Sequence, residues 1–408
     1  MRLTALFTSL LVATTCLADP KLPWDLEALS KPLAYRESTE FSEPGVKAIE
    51  FDGLPYQGKP TRVFAWLGLP KEAAAGKVPA IVLVHGGGGT AHARWVRLWN
   101  SRGYAAIAMD TCGKFGGDSK SAHRGEFSGP PGWDAAYQQI DAPIEDQWPY
   151  HAVADAVLAH SLIRSLPEVD AQRIGVTGIS WGGYLTCIIA GVDSRFKLAA
   201  PVYGCGFLRH GSAWVPAYEK MGPEKSGKWL ALWDPSVYLP NAKMPMLWID
   251  SNVDFAYPLG AVQESYRLPQ GERFLSTIPG MKHSHPAGEV PEEIHAFADQ
   301  ILMNGAPLPQ MVSMQADAMA AHGVGAKAVF KSKTKLVKAE LVYTTDSGPW
   351  QKRKWKVEPA ELDSASGTAS CKVPVDAVAF YLNVIDERNL VASSEHVEFD
   401  TNRAGGRN

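Results

Sequence analysis

Cysteine is scarce in this chain of 408 residues, which contains only five. One, Cys16, lies in an N-terminal apolar stretch, and Cys112, Cys187, Cys205 and Cys371 have spacings that match no metal site. Four cysteines in so long a chain also make no disulfide framework. We expect Cys187 to be a small core residue, and the pairing of the other three stays open.

Charge of one sign is also lacking, since 40 Lys and Arg face 43 Asp and Glu for a formal net charge of −3. This balance argues against nucleic acid as the main partner. Beyond the N-terminus no run approaches 18 unbroken apolar residues, so we expect no transmembrane segment.

The N-terminus has the pattern of a signal peptide over residues 1–18. Arg2 supplies a positive start, residues 3–12 are largely apolar, and Cys16-Leu17-Ala18 ends the stretch with a small residue. We therefore expect a secreted or periplasmic protein. A lipoprotein anchor on Cys16 and a buried N-terminal helix are the alternatives.

Apolar strand-like runs alternate with helix-period segments from about residue 46 to 305. The run 78–84 is continuously apolar, as in a central parallel strand, and helical segments such as 150–165 separate the later strands 174–177, 198–203, 245–249 and 273–278. This alternation predicts an α/β domain over residues 19–310, with a doubly wound, mostly parallel sheet.

Two aromatic-rich segments, 111–149 and 206–240, interrupt this alternation. Both leave from the carboxyl ends of strands, where open α/β sheets bind ligands. We expect most of their aromatic residues to pack the loops onto the body. Trp133 and Trp214 are candidates to line the substrate site or to stack on a sugar ring.

Residues 315–400 change character to short strand-like segments separated by turns, which predicts a small all-β, immunoglobulin- or fibronectin-like sandwich. Its many lysines indicate a solvated strand face or, alternatively, a surface for an acidic polymer. The linker before it is short and contains Pro307 and Pro309, so we expect the sandwich to pack on the first domain.

The stretch Gly178-Ile179-Ser180-Trp181-Gly182 fits the G-x-S-x-G pattern of a sharp strand-to-helix turn that presents a nucleophilic serine. A short β-branched strand precedes it and an apolar helical segment follows. Glycine two residues before and after the serine relieves collisions across the turn. Ser180 is therefore the candidate nucleophile.

A serine nucleophile needs an oriented base, and in this fold the acid and the histidine follow the serine. Strand 245–249 leads to Asp254, and strand 273–278 leads to His283. We prefer Asp254 to Asp250 because it lies further into the loop, and His283 to His285 because it comes first off the strand.

Acyl transfer also needs donors for an oxyanion. Candidates are the backbone N–H of Trp181 and those of Gly87 and Gly88 in the glycine-rich loop that begins at His85, itself a candidate substrate contact. Phosphate binding is the competing interpretation of this loop, but no Lys-Ser/Thr follows the glycines. We expect no cofactor and no metal.

With these motifs, residues 46–305 resemble an α/β-hydrolase of the dienelactone hydrolase, acetyl xylan esterase and prolyl oligopeptidase-like group. The resemblance is carried by residues 85–89, the G-x-S-[YW]-G-G form of residues 178–183, Asp254 and His283. It implies a serine carboxylesterase, with exported deacetylases of polysaccharides as the nearest members. Ser180 stands where dienelactone hydrolases carry cysteine, which argues against a dienelactone substrate.

We therefore expect Ser180, His283 and Asp254 to cleave a small-molecule or polysaccharide ester. A prolyl-oligopeptidase-like peptidase or amidase with the same machinery is one alternative. A non-catalytic carbohydrate-binding protein is the other, although binding alone does not require all of these residues. The oligomeric state, the acyl group and the alcohol stay open.

Overall fold

The computed structural model describes residues 22–117, 121–133, 136–317 and 324–399. The predicted signal peptide, residues 1–18, lies outside these ranges. Among the helices of the described part, none is long and apolar enough to cross a membrane.

A nine-stranded sheet forms the larger body. Its strands in chain order are β1 (Tyr35–Glu37), β2 (Lys47–Asp52), β3 (Arg62–Gly68), β4 (Val78–Val84), β5 (Ala105–Met109), β6 (Val169–Ile179), β7 (Leu198–Val202), β8 (Met246–Asp250) and β9 (Arg273–Thr277). Their spatial order is β1-β2-β3-β5-β4-β6-β7-β8-β9. In this spatial order the strands β5, β4, β6, β7, β8 and β9 run parallel to one another. The strands β1, β2 and β3 add antiparallel pairs at the β5 edge. The predicted mostly parallel sheet is confirmed.

Helices alternate with these strands as the sequence predicts. They are α1 (Leu26–Leu29), α2 (Ala93–Asn100), α3 (Trp148–Ser165), α4 (Trp181–Val192), α5 (Val215–Trp233), α6 (Leu259–Tyr266), α7 (His285–Glu289) and α8 (Glu292–Leu302). Nearly every side chain of α4 is buried, because the helix is apolar on all sides and lies between the sheet and its neighbours.

Helix α5 lies in the segment 206–240, for which the sequence predicted only an aromatic-rich interruption. Gly222 has φ +78° and Pro223 follows it, so the helix is kinked there. Tyr218, Trp229 and Trp233 are buried against the body, which confirms that most of these aromatic residues pack rather than bind.

The C-terminal region forms a second sheet that is antiparallel throughout, so the predicted all-β region is confirmed. Its strands are β10 (Gln310–Asp317), β11 (Val324–Lys331), β12 (Leu336–Thr344), β13 (Lys356–Asp363), β14 (Thr368–Val373), β15 (Ala379–Asp386), β16 (Val391–Ser393) and β17 (Val397–Glu398). Strand β10 begins before the expected start at residue 315. A separate apolar core that includes Phe330, Leu341, Phe380 and Leu382 holds this sheet together.

The two sheets are packed against each other. The N–H of Thr277 in β9 donates to Ser393 Oγ at 2.7 Å, and Asn383 Nδ2 donates to the Thr277 carbonyl at 3.2 Å. Leu390 lies in the core of the larger body. Arg388 donates to the carbonyl oxygen of Pro307 in the linker at 2.8 Å. The predicted fixed placement of the C-terminal region is confirmed.

The four cysteines of the described ranges are free thiols. Cys187 is fully buried in the core, as expected. Burial raises the pKa of Cys371 to about 11, which keeps this thiol protonated at neutral pH.

Candidate active site

The turn between β6 and α4 presents Ser180 in a left-handed conformation, with φ +59° and ψ −118°. Its N–H donates to the Val202 carbonyl at 2.9 Å, which ties the turn to β7. A Cβ on Gly178 would lie 2.2 Å from the Gly182 carbonyl oxygen, and one on Gly182 would lie 2.0 Å from that of Val84. Backbone atoms cannot give way as side chains can, so both glycines are required.

The three predicted triad residues lie together at the carboxyl ends of the parallel strands. His283 Nε2 is 2.8 Å from Ser180 Oγ, and His283 Nδ1 is 2.5 Å from Asp254 Oδ2. Asp254 Oδ1 accepts the N–H groups of Ala256 at 2.8 Å and Tyr257 at 2.7 Å. Because the buried carboxylate accepts on both oxygens, Nδ1 carries the proton and Nε2 is free to accept from Ser180.

Two aromatic side chains that sequence reasoning missed hold His283. The Tyr203 ring stacks on the imidazole with centroids 4.5 Å apart, and its hydroxyl reaches the carbonyl oxygens of Lys282 and Ser284. Phe255, 55% exposed, contacts the same imidazole with centroids 4.7 Å apart. Tyr203 ends a predicted strand and Phe255 follows the predicted acid, and these positions were the available signals.

The glycine-rich loop after β4 approaches the nucleophile through Gly86. A Cβ built on Gly86 would lie 3.3 Å from that of Ser180, and one on Gly87 would overlap the indoles of Trp133 and Trp181. Gly86 and Gly87 line the cavity at Ser180. Gly88, which has φ +68°, is absent from this lining, so Gly86 joins Gly87 and Gly88 as a candidate oxyanion donor, and the choice among them stays a prediction.

A cavity of about 380 Å³ opens over Ser180 and His283. Trp133 and Trp214 both line it, as expected. They flank the buried Trp181 indole, with Trp133 stacked at 25° and 5.8 Å and Trp214 edge-on at 4.8 Å. One wall of the cavity is therefore aromatic and rigidly packed.

Comparison with known proteins agrees with this geometry. A family model described as acetyl xylan esterase matches residues 28–212, a range that includes Ser180 and the glycine-rich loop but ends before Asp254 and His283. An acetyl xylan esterase from Paenibacillus sp. R4 superposes with a TM-score of 0.54 at 24% identity, covering 68% of this chain and 92% of its own. Acetyl xylan esterase 1 from Thermoanaerobacterium sp. JW/SL YS485 superposes with a TM-score of 0.54 at 18% identity, covering 69% and 94%.

The chain is an α/β-hydrolase. The predicted resemblance to the group that includes acetyl xylan esterases is confirmed by the family match over residues 28–212 and by the shared fold.

Curated relatives are similar over shorter stretches. An uncharacterised peptidase of Bacillus subtilis (strain 168) is 28% identical over 30% of this hydrolase and 16% of its own length. A probable dipeptidyl-peptidase 5 of Aspergillus terreus (strain NIH 2624 / FGSC A1156) is 25% identical over 49% of this hydrolase and 25% of its own length. The chain thus spans a quarter or less of the curated relatives it matches.

His85 does not contact the cavity of the hydrolase, which corrects the expectation that it binds substrate. Its side chain is buried, and Nε2 accepts the N–H of Thr111 at 3.0 Å while Nδ1 donates to the Gly86 carbonyl at 2.7 Å. Because Nε2 accepts this hydrogen bond, the proton that is donated to the Gly86 carbonyl is on Nδ1. His85 thereby joins the glycine-rich loop to the segment after β5.

The two alternative triad residues lie in other networks of the hydrolase. Asp250 Oδ1 accepts the N–H of Ser251 at 2.7 Å, and Oδ2 is buried with no hydrogen-bond partner among the described residues. Burial and then the charge of Asp254 raise the pKa of Asp250. His285 Nδ1 lies 2.6 Å from Glu289 Oε1 rather than near Ser180. The geometry agrees with the preference for Asp254 and His283.

Within the described ranges, no group of three or more histidine, cysteine or carboxylate side chains has an arrangement that could hold a metal ion. The arrangement at Ser180 supplies nucleophile, base and orienting acid from side chains alone. It is suited to acyl transfer.

Proposed function

We propose that this hydrolase is an exported serine esterase that cleaves carboxylic esters through an acyl-enzyme. The observation that carries the proposal is the continuous hydrogen-bonded chain Ser180–His283–Asp254, with its 2.8 Å and 2.5 Å contacts. Those distances fall within the range that general-base activation of a serine requires.

In the proposed reaction, Ser180 Oγ attacks the ester carbonyl carbon as its proton moves to His283 Nε2. The resulting imidazolium is stabilised by the Asp254 carboxylate and donates that proton to the departing alcohol oxygen. Water then attacks the acyl-enzyme by the same route, with His283 again as base, and releases the carboxylic acid and Ser180.

The oxyanion of each tetrahedral intermediate would be bound by backbone donors. The N–H of Trp181 begins α4, where the helix dipole favours negative charge. Gly86 and Gly87 bring a second backbone segment close to Ser180. Each such donor is commonly worth about 3–4 kcal/mol of transition-state stabilisation.

Acetylated polysaccharide is the proposed natural substrate, and the N-terminal pattern over residues 1–18 supports export. The acetyl xylan esterase match supports the acetyl group. The indoles of Trp133 and Trp214, which line the cavity, can stack on a sugar ring.

A peptidase or amidase activity is the second candidate, because both curated relatives carry peptidase names. Amide cleavage uses the same three residues, so the triad does not separate the two activities. The non-catalytic carbohydrate-binding alternative is disfavoured by the aligned triad. A substrate panel of 4-nitrophenyl acetate, acetylated xylan and aminoacyl 4-nitroanilides separates all three.

The decisive variant is Ser180→Ala, which removes the nucleophile. We expect a loss of ester hydrolysis to near the uncatalysed rate with an unchanged circular dichroism spectrum, since one hydroxyl at this turn contributes little to stability. Ser101→Ala, at the exposed end of α2, is the matched control and should keep full activity. Near-normal turnover by Ser180→Ala would show that the assignment is wrong.

A further inference from the structure

The cavity at Ser180 must also hold the alcohol part of the ester. The leaving alcohol must lie within reach of His283 Nε2, because that nitrogen protonates it. The alcohol therefore occupies the part of the cavity next to His283. Phe255, Ser284, His285 and His92 line the same cavity, and the Phe255 ring contacts that of His283 while the His92 ring contacts that of His285.

Among these four residues, His92 is the polar side chain that has no assigned role. It directly precedes α2 and lines the cavity. Its ring nitrogens make no hydrogen bond to any described residue, yet neither is sealed from solvent. Burial and then the neighbouring His285 lower the pKa of His92 to about 3, so the imidazole is neutral at working pH.

A connected group of side chains packs against His92. Its ring lies 4.1 Å from that of His285, centroid to centroid. His285 is fixed by Glu289 at 2.6 Å, and Arg94 donates to the same carboxylate oxygen at 2.8 Å. The edge-on Trp95 ring closes the group, with its centroid 5.0 Å from that of His285. His92 is thus held at the cavity instead of moving freely.

We propose that His92 binds a hydroxyl group of the leaving alcohol, adjacent to the ester oxygen. The inference rests on the proposed esterase function and narrows its substrate to esters of vicinal diols, such as a sugar ring. A neutral imidazole has one donor and one acceptor, which matches a hydroxyl group that both donates and accepts. The aromatic wall alone does not distinguish an alcohol with an adjacent hydroxyl group from one without it. His92 therefore supplies the selectivity for that hydroxyl group.

A matched pair of esters tests the proposal, since cyclohexyl acetate and trans-2-hydroxycyclohexyl acetate differ by one hydroxyl group. We expect His92→Ala to lower kcat/KM about three- to tenfold for the hydroxylated ester, as loss of one neutral hydrogen bond predicts. For cyclohexyl acetate it should stay within about twofold. His92→Gln, whose amide donates and accepts, should restore most of the loss.

His123→Ala is the control variant, because His123 is an exposed histidine that pairs with Glu40 and does not line the cavity. It should change neither rate. An equal fall for both esters in His92→Ala, or no preference of the wild-type enzyme for the hydroxylated ester, would overturn the proposal. Failure of the proposed esterase function would be recognised by a different result, because the wild-type enzyme would then hydrolyse neither ester.

Discussion

Two carboxylates four residues apart meet opposite environments at the end of β8. Asp254 accepts hydrogen bonds on both oxygens, whereas Asp250 has one buried oxygen with no partner among the described residues. Burial and the neighbouring Asp254 charge raise the pKa of Asp250, which favours its protonated form. The pair therefore divides into one carboxyl group that orients His283 and one that resists ionisation.

Neutralising each acid separates the two roles. Asp254→Asn should lower kcat by about three to four orders of magnitude, because the amide stabilises the wrong tautomer of His283. Asp250→Asn should cost far less activity. Steady-state kinetics on 4-nitrophenyl acetate measure both, and a reversed ranking would transfer the orienting role to Asp250.

Asp250 should also make stability depend on pH. Its folded-state pKa is raised above the unfolded value, so the unfolded state holds fewer protons between the two values and stability falls as pH rises through them. Asp250→Asn should remove that part of the decline. Urea unfolding of both proteins at several pH values checks this, and parallel curves would contradict it.

For single residues, their order along the chain predicts which of them meet at the site. The sequence predicts less well which way each side chain points. Ser180, Asp254 and His283 each follow a strand, so the topology alone brings them to one edge of the sheet. His85 also follows a strand, but its side chain is drawn inward by the N–H of Thr111, which belongs to another strand's loop. No local pattern encodes that partner.

Among the elements, α4 lies unusually close to β4 because glycine occurs at their contact. A Cβ on Gly182 would lie 2.0 Å from the Val84 carbonyl oxygen and 2.7 Å from that of His85. Both clashes are with backbone atoms, so a side chain at position 182 would fit only if α4 and β4 moved apart. That movement would displace the turn that carries Ser180.

Gly182→Ala should therefore destabilise the fold by several kcal/mol, as expected of strong overpacking, or prevent folding. Gly227→Ala in α5 is the matched control, because its Cβ would have no neighbour within 4 Å and Ala favours helix by about 1 kcal/mol. Thermal melts of both variants decide the matter. Equal melting temperatures would show that the close approach is not needed.

Helices and strands whose apolar residues follow one regular spacing were predicted well. Elements whose sequence carries contradictory indications were not. Strands such as β4 and helices such as α3 agree with prediction to within about two residues. Helix α5 was missed because Gly222 and Pro223 break its pattern in the middle and its tryptophans resemble a binding loop. In the C-terminal sheet, residues 332–335 form a turn within a run that alternates like one strand.

At the scale of the whole molecule, the C-terminal sheet supports the strand that leads to His283. Thr277 is hydrogen-bonded through both its N–H and its carbonyl group to Ser393 and Asn383. The Arg267–Glu395 ion pair joins the same two regions at the surface. We therefore expect the C-terminal region to act as a buttress of the larger body.

Removing residues 310–408 should lower the melting temperature while leaving kcat on a small soluble ester largely unchanged in the enzyme that folds. Ser393→Ala tests one contact in the full chain. It leaves the buried N–H of Thr277 unpaired, at a cost of about 1–3 kcal/mol. Ser366→Ala, at an exposed serine in the turn between β13 and β14, should have little effect. An unaltered melting temperature with lost binding to an insoluble glycan would favour an independent binding module.

The packing of the C-terminal region on β9 also affects whether copies of the protein can associate through the edges of the larger sheet. An open sheet offers unpaired backbone groups at each end, and a second chain can add a strand there. Here β1 is only three residues long and its Glu37 pairs with Lys47, while β16 and β10 lie against β9 at the other end. Neither end of the sheet, as far as the described residues form it, offers a long apolar template, so we expect the C-terminal region also to limit aggregation by strand addition at high concentration.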